Sequence, residues 1–440
     1  MGVLMNETEN TGDEHPELAS TVTRQGSNSS AVRRFNERRL LTWLRRLGEA
    51  SKAELARNLN LTQNTVGQIV LELADQGLIS SLGRRMGQRG QPATLLRLEA
   101  GGAYSIGIKL GRRSVDALLV DLTGAVLKHR RYECLFPEPA EAIALALRGV
   151  GEVRRAVPKD RRDRLVGVGL AMPFNIGTWR SGQPGSELRP DVQSVKGADG
   201  PGGRDAADAL SWLGYDLAAQ LQPLLDLPLL VESEGAAVAI AELFHGHGRR
   251  LDDFACIYIN SSIGGGAVLD GEYRRGVTGK AGDIGLIPVP RSSLAANRPA
   301  RGLPTTLQDR ASGSSLIRHL QANGISIGGA VELHAVMRDH PDLVENWLQD
   351  CADALVMPML SMAMVLDVHA IILDGNLPRA LIAALLERLE PMLQAATPPS
   401  RKPAALLHGT SGDRAAGLGA ALLPLHDRHG QTGLASVAAA

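Results

Sequence analysis

An α/β fold behind a separate helical head is what this sequence predicts, on three observations. Cations cluster in one short segment, the hydrophobic period changes abruptly near residue 100, and beyond that point strand-like runs alternate with helical stretches. At 440 residues with 44% hydrophobic content, the chain exceeds one core of ordinary size, so two or three domains are expected. The formal net charge is zero, which argues against a uniformly basic surface. Between Val32 and Leu98, however, twelve basic residues stand against five acidic ones, the local surplus that a phosphate backbone attracts.

Residues 1–30 are rich in Ser, Thr, Asn, Glu and Gly with little to bury, and are expected to form a disordered leader. They lack the apolar core of a secretory signal, and no apolar run reaches the roughly 18 to 20 residues of a membrane span. A cytoplasmic protein with no membrane partner is therefore expected. Cys134, Cys256 and Cys351 are far apart in apolar segments, a pattern that suggests core thiols and neither a disulfide framework nor a Cys-x-x-Cys metal site.

Residues 31–98 carry the signature of a winged helix-turn-helix. Asn36 to Leu47 supplies a first helix with Leu40, Leu41, Leu44 and Leu47 toward its core and Arg38, Arg39, Arg45 and Arg46 toward solvent. Ser51-Lys52-Ala53-Glu54 is a capping box opening a second helix. Thr62 is a candidate N-cap for a third, in which Val66, Ile69, Val70 and Leu73 form the buried stripe. The polar face of that helix presents Gln63, Asn64, Thr65 and Gln68 beside Thr62. Amide side chains at the front of such a helix match the donor and acceptor pair of adenine in a major groove. A β wing is expected across Gly83 to Pro92, carrying Arg84, Arg85 and Arg89. Two readings of those arginines stand: insertion into a narrow minor groove, or contact with phosphates alone.

After Ala100-Gly101-Gly102, the runs Ala103 to Lys109 and Val115 to Asp121 and a third strand near Leu127 read as a meander. Strand-like segments follow at Leu165–Leu170, Leu227–Val231, Ala255–Asn260, Ala370–Leu373 and Ala404–Leu407, with polar insertions at Arg180–Arg204 and Arg291–Leu303. Within this pattern stand Asn36-Glu37-Arg38, Gly167-Val168-Gly169-Leu170-Ala171-Met172-Pro173, Ile263-Gly264-Gly265-Gly266, Gly276 through Gly285, and Gly417-Leu418-Gly419-Ala420-Ala421. On these motifs the chain resembles the ROK family, which includes the xylose and N-acetylglucosamine repressors and bacterial glucokinases, over roughly Asn36 to Leu423. The resemblance implies an actin-like, two-lobed ATPase body. Its first lobe is expected at 99–222, its second at 223–410, and a closing helix with a tail at 411–440.

Several positions depart from the family pattern. An Asp-x-Gly-x-Thr phosphate loop is replaced by Lys109-Leu110-Gly111-Arg112-Arg113, and the Asn-Asp pair bearing the general base by Ser233-Glu234. Glu-Ile-Gly-His reads Asp283-Ile284-Gly285-Leu286, the cysteine-rich zinc loop has no counterpart in Arg291–Leu303, and a sugar-binding Glu aligns with Gln308. No catalytic residue, cofactor or metal is therefore expected. Ser233, Glu234, Asp283 and Gln308 remain as candidate contacts for a sugar or sugar derivative, or else the cleft is vestigial and the body a dimerisation platform. The resulting expectation is a DNA-binding regulator of carbohydrate genes, acting as a homodimer or dimer of dimers on operator DNA. Its rival is an ATP-dependent sugar kinase with an accessory head.

Overall fold

The computed structural model describes residues 29–85, 93–135, 137–173, 212, 214–300, 302–326 and 330–430. Most of the expected leader, the wing tip with Arg89, the insertion Arg180–Arg204 and the residues after 430 lie outside the described residues.

The head consists of α1 (Ser29–Leu47), β1 (Ala50–Ser51), α2 (Lys52–Leu59), α3 (Gln63–Asp75), β2 (Ile79–Arg85) and β3 (Ala93–Leu98), with an antiparallel sheet ordered β1-β3-β2. The capping box forms as expected: the Ser51 amide donates to Glu54 Oε2 at 2.7 Å and the Glu54 amide to Ser51 Oγ at 3.2 Å. α2 ends where Asn60 turns left-handed at φ 55°, a conformation Asn tolerates better than most residues. Leu40, Leu44, Leu55, Leu59, Val66, Ile69 and Leu73 fill the core. Three expectations need correction. α1 begins at Ser29, so Asn36 is mid-helix and the leader ends before residue 29. Leu47 is exposed because the helix stops there, and Arg45 and Arg46 are packed against the body instead of solvated.

The body contains two five-stranded sheets built on one plan. In the first, β4 (Tyr104–Leu110), β5 (Ser114–Asp121), β6 (Val126–Glu133), β7 (Leu165–Met172) and β8 (Leu229–Ser233) are ordered β6-β5-β4-β7-β8. In the second, β9 (Phe254–Ile259), β10 (Ile263–Leu269), β11 (Glu272–Tyr273), β12 (Ala370–Gly375) and β13 (Ala405–His408) are ordered β11-β10-β9-β12-β13. Each sheet is an antiparallel meander continued by two parallel strands. The central strands are buried along their whole length, as continuous apolar runs covered on both faces must be. β8 was expected in the second lobe. It pairs in parallel with β7 of the first sheet, Leu170 opposite Val231, which moves the boundary at 222/223 to the end of that strand.

Helices α4 (Pro139–Arg154) and α5 (Leu217–Leu221) accompany the first sheet. α6 (Glu234–His245), α7 (Leu307–Ala311), α8 (Gly313–Ala322), α9 (Ala330–Asp339), α10 (Pro341–Leu366), α11 (Arg379–Ala396) and α12 (Ala415–His429) complete the body. α10 is long and apolar enough to cross a membrane by composition, with half of that stretch buried inside the protein. α12 packs on the first sheet, α6 on β9 and β10, and the two helices pack against each other. This crossing is unusually close. A Cβ on Gly419 would fall on the Ala237 carbonyl oxygen, and one on Gly169 on that of Ala420. The Ser105 hydroxyl adds a hydrogen bond to the Ala421 carbonyl.

Gly419→Ala is accordingly expected to lower unfolding stability by about 1–3 kcal/mol, the usual range for overpacking, read as an earlier guanidinium midpoint. Gly151→Ala, in α4 with open space around its Cβ position, is expected to leave the midpoint unchanged or raise it.

Candidate functional site

The corner between β8 and α6 places Ser233 and Glu234 at the cleft between the sheets. Ser233 is the N-cap of α6, its Oγ accepting from the Ala236 amide at 3.0 Å. Glu234 is 4% exposed. Asn260 Nδ2, at the turn after β9, donates to both of its oxygens at 3.0 and 3.1 Å, and the Lys109 ammonium lies 3.9 Å from Oε1. Burial pushes the Glu234 carboxyl above its ordinary range, against the pull of Lys109 and Asn260. Gln308, on α7, accepts from the Ile263 amide at 2.9 Å. Asp283 is half-buried in the segment whose Gly282 carbonyl accepts from the Gly265 amide, and burial raises its pKa too, opposed by Lys280.

The four candidate contacts thus surround the β9–β10 turn, but the hydroxyl of Ser233 and the carbonyl of Gln308 already serve the fold. A cavity of about 560 Å³ has Asn260 in its wall. Lys109, Arg112, Arg113 and Ser114 line it from the first lobe, Asn260 and Ser261 from the second. Sequence reasoning took Lys109-Leu110-Gly111-Arg112-Arg113 only as the loss of a kinase loop. The signal available was that a cation stands where an acid was lost.

The zinc that the family resemblance would place in Arg291–Leu303 does not fit the residues present. Ser292 Oγ donates to Asp350 Oδ2 at 2.7 Å, the Ser293 amide and hydroxyl to Oδ1 at 3.1 Å, and Arg310 Nη2 to Oδ1 at 2.8 Å. Arg310 also reaches the Pro290 carbonyl at 3.0 Å. A buried carboxylate–guanidinium pair therefore pins this segment, and part of what was expected as a surface loop is interior. Among the described residues no group of three or more His, Cys, Asp and Glu side chains could hold a metal ion.

On the head, Gln63, Asn64 and Gln68 are exposed and Thr65 is half-buried. Thr62 caps α3, its Oγ1 accepting from the Thr65 amide at 3.2 Å. Leu71, which sequence reasoning missed, is 68% exposed one turn beyond Gln68. A helix-period residue outside the buried stripe was the clue. Arg84 and Arg85 lie on β2 opposite Thr94 and Ala93, so residues 86–92 join two paired strands.

The head is joined to both lobes. Arg164, in the first lobe, donates to the carbonyls of Gln76, Gly77 and Gly102 at 3.3–3.4 Å, closing the end of α3 and the link into β4. Toward the second lobe, Arg46 pairs with Asp252 and Arg249 donates to the Arg46 carbonyl at 3.2 and 3.3 Å. The Arg45 guanidinium sits 3.6 Å from the ring centre of Phe244, near the end of α6, and burial lowers its pKa to about 9.

Residues 105–427 match the profile of the ROK family. The uncharacterized protein y4fQ of Sinorhizobium fredii is 27% identical over 356 residues, 81% of each chain. The xylose repressor of Bacillus subtilis is 23% identical over 260 residues, 59% of this chain and 61% of the repressor, so the match spans under two thirds of that relative. The crystal structure of a ROK family transcriptional regulator, a homolog of the E. coli MLC protein, is similar with TM-score 0.63 and 19% identity, over 90% of this chain and 98% of that one. A ROK family glucokinase from Streptomyces griseus, in complex with glucose and AMPPNP, is similar with TM-score 0.54 and 20% identity, over 73% and 99%. These likenesses show the fold, a two-lobed ROK body behind an N-terminal helical head.

The last strand residue before Ser233 supplies a pH test. Glu232 is buried, takes the Tyr273 hydroxyl at 3.2 Å and pairs with Arg275 at 2.7 Å, yet burial outweighs both and raises its pKa to about 7. Between the ordinary 4.5 and that value the folded state holds a proton the unfolded state has lost, so stability falls as pH rises through this window. The contribution has a slope of at most about 1.4 kcal/mol per pH unit. Glu232→Gln is expected to flatten this decline in denaturation midpoints measured from pH 4.5 to 7.5.

Proposed function

The chain belongs to the ROK family, and on that premise we propose that it is a cytoplasmic, sugar-responsive transcription regulator, acting as a repressor and not as an enzyme. The observation that carries this reading is the double attachment of the head. Arg164 holds the end of α3 to the first lobe, while Arg46, Arg45 and their partners hold the end of α1 to the second. A ligand that favours one closure of the cleft must move one set of contacts against the other, so cleft occupancy and head geometry form one coupled equilibrium.

Gln63, Asn64, Thr65 and Gln68 are proposed to read the major groove from α3, with Thr62 holding the helix start and Arg84, Arg85 and Arg89 serving the wing. One head of this size makes limited contacts, and two on a two-fold axis read two half-sites at once, so the working form is a homodimer or a dimer of dimers. Ser233, Glu234, Asp283 and Gln308 are the proposed wall of a sugar-like effector site. The relatives named as xylose repressors support a carbohydrate gene target.

The second reading, an ATP-dependent sugar kinase with an accessory head, draws on the retained cleft and the likeness to the Streptomyces griseus glucokinase. Against it, Glu234 is held by Asn260 and faces Lys109 where a phosphate loop would carry an acid. Sugar-dependent ATP turnover at an ordinary enzymatic rate of about 1 per second or more would establish the kinase.

The coupling makes its own prediction. A sugar that shifts operator affinity of the wild-type chain, by about 5- to 150-fold for a typical coupling, is expected to shift that of Arg164→Ala far less. The variant's affinity without sugar should stay within about threefold of wild type, since a rim contact is lost and no DNA contact. An equal shift in both proteins would overturn the two-lobe attachment as the route.

A further inference from the structure

A buried histidine stands in the seat of the head. His426, on α12, is 2% exposed, and among the described residues neither of its ring nitrogens has a hydrogen-bond partner. An imidazole buried in that state costs free energy that an aliphatic side chain would not. Phe244 of α6 packs edge-on against the ring with centroids 5.7 Å apart. The backbone of Gly430 closes over the Nδ1 edge, where a Cβ would stand 2.7 Å away.

The charged groups around the ring are mainly cations. α1 presents Arg38 and Arg45, with Arg46 next in the chain, and the Arg45 guanidinium lies over the same Phe244 ring. α6 adds His245, which faces Arg45, Arg249 and Asp121. α12 itself adds Asp427, which faces Arg38 and Arg275, and then Arg428 and His429. The acid facing the ring is Glu272 of β11, whose Oε2 is 3.8 Å from Nε2, beyond hydrogen-bond distance, and which also faces Arg45. Burial, helped by Arg45 and Arg38, holds the His426 imidazole down at about 3. Burial, helped by Arg428 and Arg38, holds that of His429 at about 4. Lifting α1 away removes Arg38 and Arg45 and admits water, and the rings return toward their ordinary 6.5.

We propose that the contact between head and body is a proton-linked joint: α1 stays seated on α6 and α12 only while the His426 ring is neutral, and acidification releases the head. Release takes up a proton. Seating is therefore at full strength above the ordinary imidazole value and weakens as pH falls below it, by up to about tenfold per pH unit for each histidine. The joint does not rest on the head binding DNA. In a sugar-responsive regulator it supplies a second input, acidity, that acts at the far end of α12 from the cleft.

The test is amide hydrogen exchange of the full chain at pH 7.5 and 5.5, corrected for the intrinsic exchange rate at each pH, with NMR of ¹³C-labelled histidine following the His426 ring. Between the two pH values the opening constant of the amides from Leu40 to Leu47 is expected to rise about tenfold from His426 alone, and about a hundredfold if His429 contributes in full. Amides of β12, in the core of the second sheet, should keep their protection. The His426 ring should take up its proton only in step with the opening of α1, a reading that needs no variant. His426→Leu is expected to reduce the pH factor about tenfold. An opening constant equal at both pH values, opening that spreads equally to β12, a His426 ring that titrates near its ordinary value while α1 stays protected, or an unaltered pH factor in His426→Leu would each overturn the proposal.

Discussion

The crossing of α6 and α12 at Gly419 is the contact on which the cleft and the seat of the head both depend. Each helix runs from the cleft toward the head. α6 begins at Glu234 in the cleft and ends beside Phe244, under the Arg45 guanidinium. α12 follows Asp413, which lies 4.0 Å from Arg131 on the cleft wall, and ends past His426, whose ring packs edge-on against Phe244. Because α12 also lies on the first sheet and α6 on the second, the pair is a rigid connection between lobes, closely packed where the missing Cβ lets backbone meet backbone. Interiors packed to this density switch between discrete arrangements and do not deform continuously. On the proposed reading, a change in lobe closure pivots about this crossing and shifts the Arg164 contacts against those of Arg45 and Arg46.

Electrostatics refine this frame in two places. At Asp350 and Arg310 the charges are buried together, and both carboxylate oxygens and both terminal guanidinium nitrogens are bonded, through Ser292, Ser293, each other and the Pro290 carbonyl. Removing one partner of such a pair costs about 3–5 kcal/mol because the other is left buried and uncompensated. The same interaction supplies the rigidity that a metal would otherwise lend this segment. At Lys109 and Glu234 the opposite holds: the carboxylate is well bonded, the ammonium is not, and the unbalanced half faces a cavity.

What the sequence made legible, and what it did not, divides by the range of the interaction. The α3 stripe, the Ser51–Glu54 box and the Thr62 cap are set by residues three or four apart, and each is found in place. The meander and the later strands were legible as apolar runs, and the family motifs placed them in a ROK body. Pairings between distant segments were not legible. Arg45 and Arg46 carry the same local signal as Arg38 and Arg39, and only the approach of Phe244 and Asp252, some two hundred positions away, buries them. β8 was placed on the second-lobe side of the boundary because a short parallel strand announces its burial but not its neighbour. Ser233 and Gln308 were legible as polar groups, while their engagement by the Ala236 and Ile263 amides depends on backbone geometry that composition does not encode.

The claim at the centre of this account is that a ligand in the cleft and DNA on the head share one equilibrium. It is tested most directly by the affinity of the full chain for DNA upstream of its own gene, titrated in salt, alone and with each of a panel of sugars and sugar phosphates. The account predicts specific binding that weakens steeply with salt, as phosphate contacts require, and that at least one member of the panel shifts several-fold at fixed salt. Specific binding indifferent to every compound would contradict the coupling. Absence of any specific binding would contradict the regulator itself.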